Sequence, residues 1–161
     1  MCCSSKGDNV VHHLRNSADV GVCSRRRGIN CLCHTAKAAR LWIYWHRLGA
    51  ADLAIWDARG PLEYSGEKVL AAKAGHLPGA INFEWTAGMD FNDHLRIRQD
   101  IAEVLEKLGI TPDKEVITHC QTHRRSGFTY LVAKSLGYPR VKAYAGSWSE
   151  WGNHPDTPVE V

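Results

Sequence analysis

The sequence predicts an α/β domain over residues 49–161, with a largely parallel sheet flanked by helices, preceded by a basic, cysteine-rich leader over residues 1–48. Three observations predict it. Short apolar or β-branched runs alternate with stretches of helical periodicity, the order expected of βαβ units. Glycines and a proline stand where those helical stretches should stop. The composition also changes abruptly near Leu48.

Leu53-Ala54-Ile55-Trp56 is a short apolar run closed by Asp57 and reads as a buried strand. Ala80-Ile81-Asn82-Phe83 reads as a second strand after the turn Leu77-Pro78-Gly79. Ile101, Val104, Leu105 and Leu108 share one helical face, with Gly109 as the stop and Pro112 just beyond. Glu115-Val116-Ile117-Thr118-His119 is a β-branched strand. Phe128, Leu131, Val132 and Leu136 predict the next helix face, ended by Gly137. Val141-Lys142-Ala143-Tyr144 is a further strand, and Ser147-Trp148-Ser149-Glu150 has the pattern of a capping box opening a last short helix. No internal repeat or low-complexity stretch interrupts the order.

The leader has a different texture. Its net charge is +6 against −3 for residues 49–161, which together give the chain's +3. That acidic balance excludes nucleic-acid binding by the C-terminal part. Five of the six cysteines, Cys2, Cys3, Cys23, Cys31 and Cys33, lie in the leader. Cys31-Leu32-Cys33-His34 with Cys23 lacks the paired spacing of a zinc site. The run Ser24-Arg25-Arg26-Arg27-Gly28 has neither helical nor strand periodicity, and a basic tail for nucleic acid is weighed no higher than zinc. The expectation is a disordered leader, or residues encoded upstream of the true domain by a misplaced start or a frameshift. Leu41-Trp42-Ile43-Tyr44-Trp45 is too short to span a membrane and too far into the chain for a signal-peptide core. A soluble, cytoplasmic protein is expected.

Cys120 is the only cysteine of residues 49–161, so no disulfide framework is available to it. It stands where a strand ends and a helix is about to begin. α/β folds place ligand sites at such junctions, and the helix end carries unpaired N–H groups and partial positive charge. Both features, with Arg124 and Arg125, favour the thiolate. A buried, inert cysteine is the competing reading. The six residues Gln121-Thr122-His123-Arg124-Arg125-Ser126 are polar or charged, which a core position would not tolerate.

The pattern His119-Cys120-x4-Arg125-Ser126 is similar to the loops of two related families. Protein tyrosine phosphatases use a loop one residue longer. Rhodaneses use the shorter one, which suits a single sulfur atom better than a tetrahedral phosphate. Three further elements resemble the rhodanese family in order: Asp57-Ala58-Arg59 with Glu63-Tyr64-Ser65-Gly66, Gly75-His76-Leu77-Pro78-Gly79-Ala80, and Gly146-Ser147-Trp148-Ser149-Glu150-Trp151. Residues 48–161 resemble the catalytic C-terminal half of two-domain bacterial rhodaneses.

That resemblance implies a rhodanese-like domain acting as a thiosulfate sulfurtransferase. Cys120 would take the outer sulfur of thiosulfate as a persulfide and pass it to a thiophilic acceptor such as cyanide or a thiol. A thioredoxin or a cluster-assembly protein is a candidate acceptor. Arg125 would help bind the substrate anion and shape the loop; Gln121, Thr122, His123 and Arg124 would offer mainly backbone N–H groups. No metal or organic cofactor, nucleic acid or membrane is implied. Arg124 replaces a second histidine of the close relatives, which makes the rim more positive. The N-terminal domain of the two-domain enzymes has no counterpart, so an exposed apolar face and reduced stability and activity are expected.

Other residues have quieter readings. Asp57 and Arg59 are expected as a structural ion pair or helix cap ahead of a substrate contact. His76 is expected as a hydrogen-bonded turn residue, and His119 as buried and hydrogen-bonded. Trp85 is expected near the pocket or in the core; Trp148 and Trp151 in the core or as a lid. Alternatives for the whole are a truncated sulfur-carrier or interaction module without turnover, and a dual-specificity-type phosphatase or arsenate reductase.

Overall fold

The computed structural model describes Leu41 and residues 44–161. The readings placed on Cys23, Cys31, Cys33 and His34, on the basic run at 24–28 and on the leader's disorder lie outside the described residues.

Four parallel strands form the sheet: β1 (Leu53–Asp57), β2 (Ala80–Asn82), β5 (Glu115–His119) and β6 (Val141–Ala143), in the order β2-β1-β5-β6. A two-stranded hairpin of β3 (Met89–Asp90) and β4 (Arg96–Ile97) stands apart from it. The helices are α1 (Pro61–Tyr64), α2 (Ile101–Lys107), α3 (Arg124–Ser135) and α4 (Ser147–Trp151).

Because side chains alternate along a strand, β1 and β5 feed two cores. Ala54, Trp56 and Val116 face Ile101, Leu105 and Ile110 around α2, and Val132 and Ala133 of α3. Ile55 and Ile117 face Leu77, Tyr144, Trp148 and Trp151. Leu41 is buried in this second core, and Tyr44, Trp45 and Leu48 pack against it. These four residues were placed in the leader, so the packed structure starts upstream of the boundary drawn at 48/49. The two aromatic residues among them explain why: the Tyr44 ring lies 4.7 Å from that of Tyr144, and Trp45 lies 6.4 Å from Trp151.

Two helix readings need correction. In α3 the buried residues are Ser126, Thr129, Val132 and Ala133, while Leu131 is exposed. The face is rotated because Ser126 and Thr129 turn inward, where the Ser126 hydroxyl meets the Cys120 sulfur and the Thr129 hydroxyl donates to the Ser126 carbonyl. The capping box at Ser147 does not form, since Ser147 lies inside α4 and Gly146 precedes it as the cap. The Ser147 hydroxyl donates instead to the Tyr144 carbonyl at 2.8 Å, and Glu150 accepts from the Tyr144 hydroxyl at 2.8 Å.

Candidate active site

Asp57 and His119 are register partners at the carboxyl ends of neighbouring parallel strands. The segments that continue from these ends carry Arg59 and Cys120, so the sheet itself brings the two motifs together.

Beneath the loop lies a charged layer. Arg59 donates through Nε and Nη2 to both oxygens of Asp57, at 2.7–3.0 Å, and through Nη2 to the Gly75 carbonyl at 2.9 Å. Its guanidinium stacks on Trp148, 4.4 Å from the ring centroid. Both partners are buried. Burial opposes ionisation of Asp57, but the neighbouring His119 and the bidentate Arg59 outweigh it and hold the carboxyl below its ordinary value. Burial also keeps His119 below its ordinary value, although Asp57 pulls the other way. Its Nδ1 lies 3.4 Å from the Cys120 carbonyl, while Nε2 sits 3.6 Å from Asp57 Oδ2 with no hydrogen-bond partner among the described residues.

The loop wraps Cys120 from above. Cys120 is 1% exposed. Its carbonyl accepts from the Trp148 N–H and that of Gln121 accepts from the Ser149 N–H, both at 2.9 Å. These bonds tie the loop's first carbonyls to α4 and leave its N–H groups for the sulfur. Burial pushes the Cys120 thiol up. Hydrogen bonds from the Ser126 hydroxyl and from the backbone N–H groups of Ser126, Thr122 and Arg125 outweigh it and leave the thiol below its ordinary value. The Cys120 N–H in turn donates to Ser147 Oγ at 3.4 Å. His123 takes a left-handed conformation, φ 64°, that turns the chain tightly into α3.

Arg125 donates through Nη1 and Nη2 to Glu63 at 2.6 and 2.8 Å. Its guanidinium also interacts with the Cys120 sulfur, and the Glu63 carboxylate is the main reason it stays firmly protonated. Arg125 in turn holds Glu63 below its ordinary value against the cost of burial. Gln121 donates to the Leu70 carbonyl at 3.0 Å, which ties the loop to the 66–74 segment. Arg124 and Thr122 face solvent.

The sequence-derived site residues Cys120–Arg125 thus form one loop around one sulfur. His76 stacks on Tyr64 with ring centroids 3.6 Å apart, and its Nδ1 lies 2.9 Å from the Tyr64 carbonyl. The Trp85 ring packs edge-on against Phe128, and Trp148 and Trp151 are core. Sequence reasoning gave no site role to Glu63 or Ser126, and gave Ser147 only a helix-capping role. Each stood inside a quoted motif, but nothing in the spacing announced its hydrogen bond.

The fold is a parallel α/β sheet with a buried cysteine, its thiol held below its ordinary value, in a strand-to-helix loop. The family model for the rhodanese-like domain matches residues 43–154. The chain belongs to that family. The thiosulfate sulfurtransferase of Pseudomonas aeruginosa is 87% identical over 115 residues, 71% of this chain and 42% of that protein. The sulfur carrier protein TtuD of Thermus thermophilus is 38% identical over 115 residues, 66% of this chain and 40% of that protein. Among solved structures, the anaerobic ergothioneine biosynthesis enzyme of Chlorobium limicola, bound to trimethyl histidine, superposes with a TM-score of 0.65 at 31% identity, over 72% of this chain and 30% of that one. The chain spans about two fifths of the length of the curated relatives it matches. No helix among the described residues is long and apolar enough to cross a membrane.

Proposed function

We propose that this protein is a thiosulfate sulfurtransferase working through a Cys120 persulfide. The carrying observation is the convergence of three backbone N–H groups and one hydroxyl on the Cys120 sulfur. Such a cradle stabilises an anionic sulfur and, on transfer, a terminal persulfide sulfur just beyond it.

The Cys120 thiolate attacks the outer sulfur of thiosulfate. A new S–S bond forms, the sulfur–sulfur bond of thiosulfate breaks, and sulfite leaves with the electron pair. A thiophilic nucleophile then attacks the outer persulfide sulfur and Cys120 departs as thiolate, with no net oxidant or reductant. Cyanide would leave as thiocyanate and a thiol as its persulfide; a thioredoxin or another sulfur-acceptor protein suits the same step. Arg125 supplies positive charge to the incoming dianion while Glu63 fixes its position. Gln121, Thr122, His123 and Arg124 form the rim, Thr122 through its N–H. A reactive unpaired thiol suits a reducing compartment, which supports the cytoplasm as the place of work.

Steady-state kinetics with thiosulfate and cyanide test this. Parallel double-reciprocal lines, with thiocyanate formed and no hydrolysis of aryl phosphates, support it. Phosphatase activity without thiocyanate would transfer the site to phosphoryl chemistry. The similarity to a sulfur carrier protein favours a second reading, a carrier that is loaded but turns over slowly with small acceptors. Rapid loading by thiosulfate with negligible thiocyanate formation would mark it.

A further inference from the structure

We infer that Ser126 and His123 form a two-member hydrogen-bond relay that sets the charge state of the Cys120 sulfur, with His123 acting as a positioning residue through Ser126. This deepens the persulfide reading and rests on it. The Ser126 hydroxyl lies 3.5 Å from Cys120 Sγ and 2.8 Å from His123 Nδ1. Ser126 is fully buried, so no solvent competes for its hydroxyl.

A hydroxyl has one hydrogen. If it donates to His123 Nδ1, the sulfur loses a donor. If it donates to the sulfur, Nδ1 must itself carry a proton and donate to Oγ. The anionic sulfur and an Nδ1-protonated imidazole therefore select each other, and the serine transmits the choice. No proton is transferred; only the direction of two hydrogen bonds is set. The backbone supports this arrangement, because His123 holds the left-handed conformation that brings its ring over the first turn of α3. Histidine and asparagine tolerate that conformation better than most residues.

The other charged groups around the sulfur are already committed. From α3, Arg125 is held by Glu63 of α1. From the ends of β1 and β5, Arg59 is held by Asp57, with His119 beside them. Glu150 of α4 is bonded to Tyr144. Arg124 points to solvent on the same turn. Among the described residues, the hydroxyl of Ser126 is thus the one side-chain donor to Sγ whose direction another titratable ring decides.

The test is the pH dependence of iodoacetamide alkylation at Cys120, read on its own peptide by mass spectrometry in the full-length chain. No sulfur donor is present, so the outcome is independent of whether thiosulfate is the substrate. Ser126→Ala should raise the alkylation midpoint by about one pH unit, the scale of one lost hydrogen bond to an anion. His123→Gly, which keeps the backbone conformation but removes the ring, should raise it in the same direction. His123→Asn, which restores an N–H near the Nδ1 position, should return it towards wild type. Once Ser126 is alanine, His123→Gly should add nothing, because its effect passes through the hydroxyl. An unchanged midpoint in folded Ser126→Ala, or a His123→Gly shift that persists in the Ser126→Ala background, overturns the relay. Should Ser126→Ala fail to fold, the His123→Gly and His123→Asn pair decides alone, with equal midpoints counting against it. A shifted midpoint without sulfur loading from thiosulfate would preserve the relay and remove the donor.

Discussion

Two arginine–carboxylate pairs of similar geometry lie within this one site and serve different ends. Arg59 and Asp57, at 2.7 Å, are shut away beneath the loop with exposures of 1% and 0%. Arg125 and Glu63, at 2.6 Å, sit at the rim with exposures of 25% and 8%, and the arginine reaches the Cys120 sulfur. Charge pairing alone therefore does not distinguish scaffold from chemistry. Burial and distance to the sulfur do. A pair with no route to solvent can only fix geometry, whereas a half-open one can receive an anion.

The largest effect that sharpens this contrast is on stability. Asp57→Ala leaves the Arg59 guanidinium buried and unpaired, and should cost about 3–5 kcal/mol in urea unfolding. Arg125→Ala leaves Glu63 able to regain some solvent and should cost only about 1 kcal/mol. In activity the order reverses: Arg125→Ala should slow persulfide formation roughly ten- to a hundredfold, the worth of a hydrogen bond to a charged group. Equal stability losses for the two variants would break the comparison.

Acid titration reads both pairs. Both carboxyls lie below their ordinary values of 3.8 for Asp57 and 4.5 for Glu63. Folding therefore binds them preferentially in the ionised form. The stability they confer is fully present above those ordinary values and is lost as pH falls through the lower folded-state values. Unfolding free energy measured from neutral to strongly acid pH should fall across that window, and Asp57→Asn and Glu63→Gln should each flatten part of the slope.

Smaller effects concern the substrate. Glu63→Gln leaves the Arg125 charge unshared and should lower the KM for thiosulfate roughly two- to fivefold, as expected of a partly exposed charge. The smallest belongs to the exposed Arg124. Arg124→His should leave the KM near wild type in mild acid and raise it modestly above about pH 6.5, where histidine loses its charge. Unchanged KM in mildly alkaline buffer would show that the rim charge does not reach the anion.

Much of this was legible in the sequence, and the reasons differ by residue. The strands were legible because Leu53–Trp56 is a short apolar run closed by Asp57 and Val116–Thr118 is a β-branched run between polar residues. The Cys120 loop was legible because Cys120 is followed by six polar or charged residues. The α3 face was misread at Leu131, because hydrophobic periodicity does not register buried hydroxyls such as Ser126 and Thr129. The capping box failed because the Ser147 hydroxyl bonds instead to the Tyr144 carbonyl three residues back and to the distant Cys120 N–H. The Glu63–Arg125 pair spans 62 positions, and no local pattern announces it. Packing of Leu41 and Tyr44 was hidden by the basic composition around them.

The central claim is that Cys120 carries the sulfur. Its most direct test is the intact mass of the protein after incubation with thiosulfate, beside Cys120→Ala. The predicted result is a gain of about 32 Da, one sulfur atom held covalently, that is lost on adding cyanide and absent from the variant. An equal gain in Cys120→Ala, or none in folded wild type, would contradict the account.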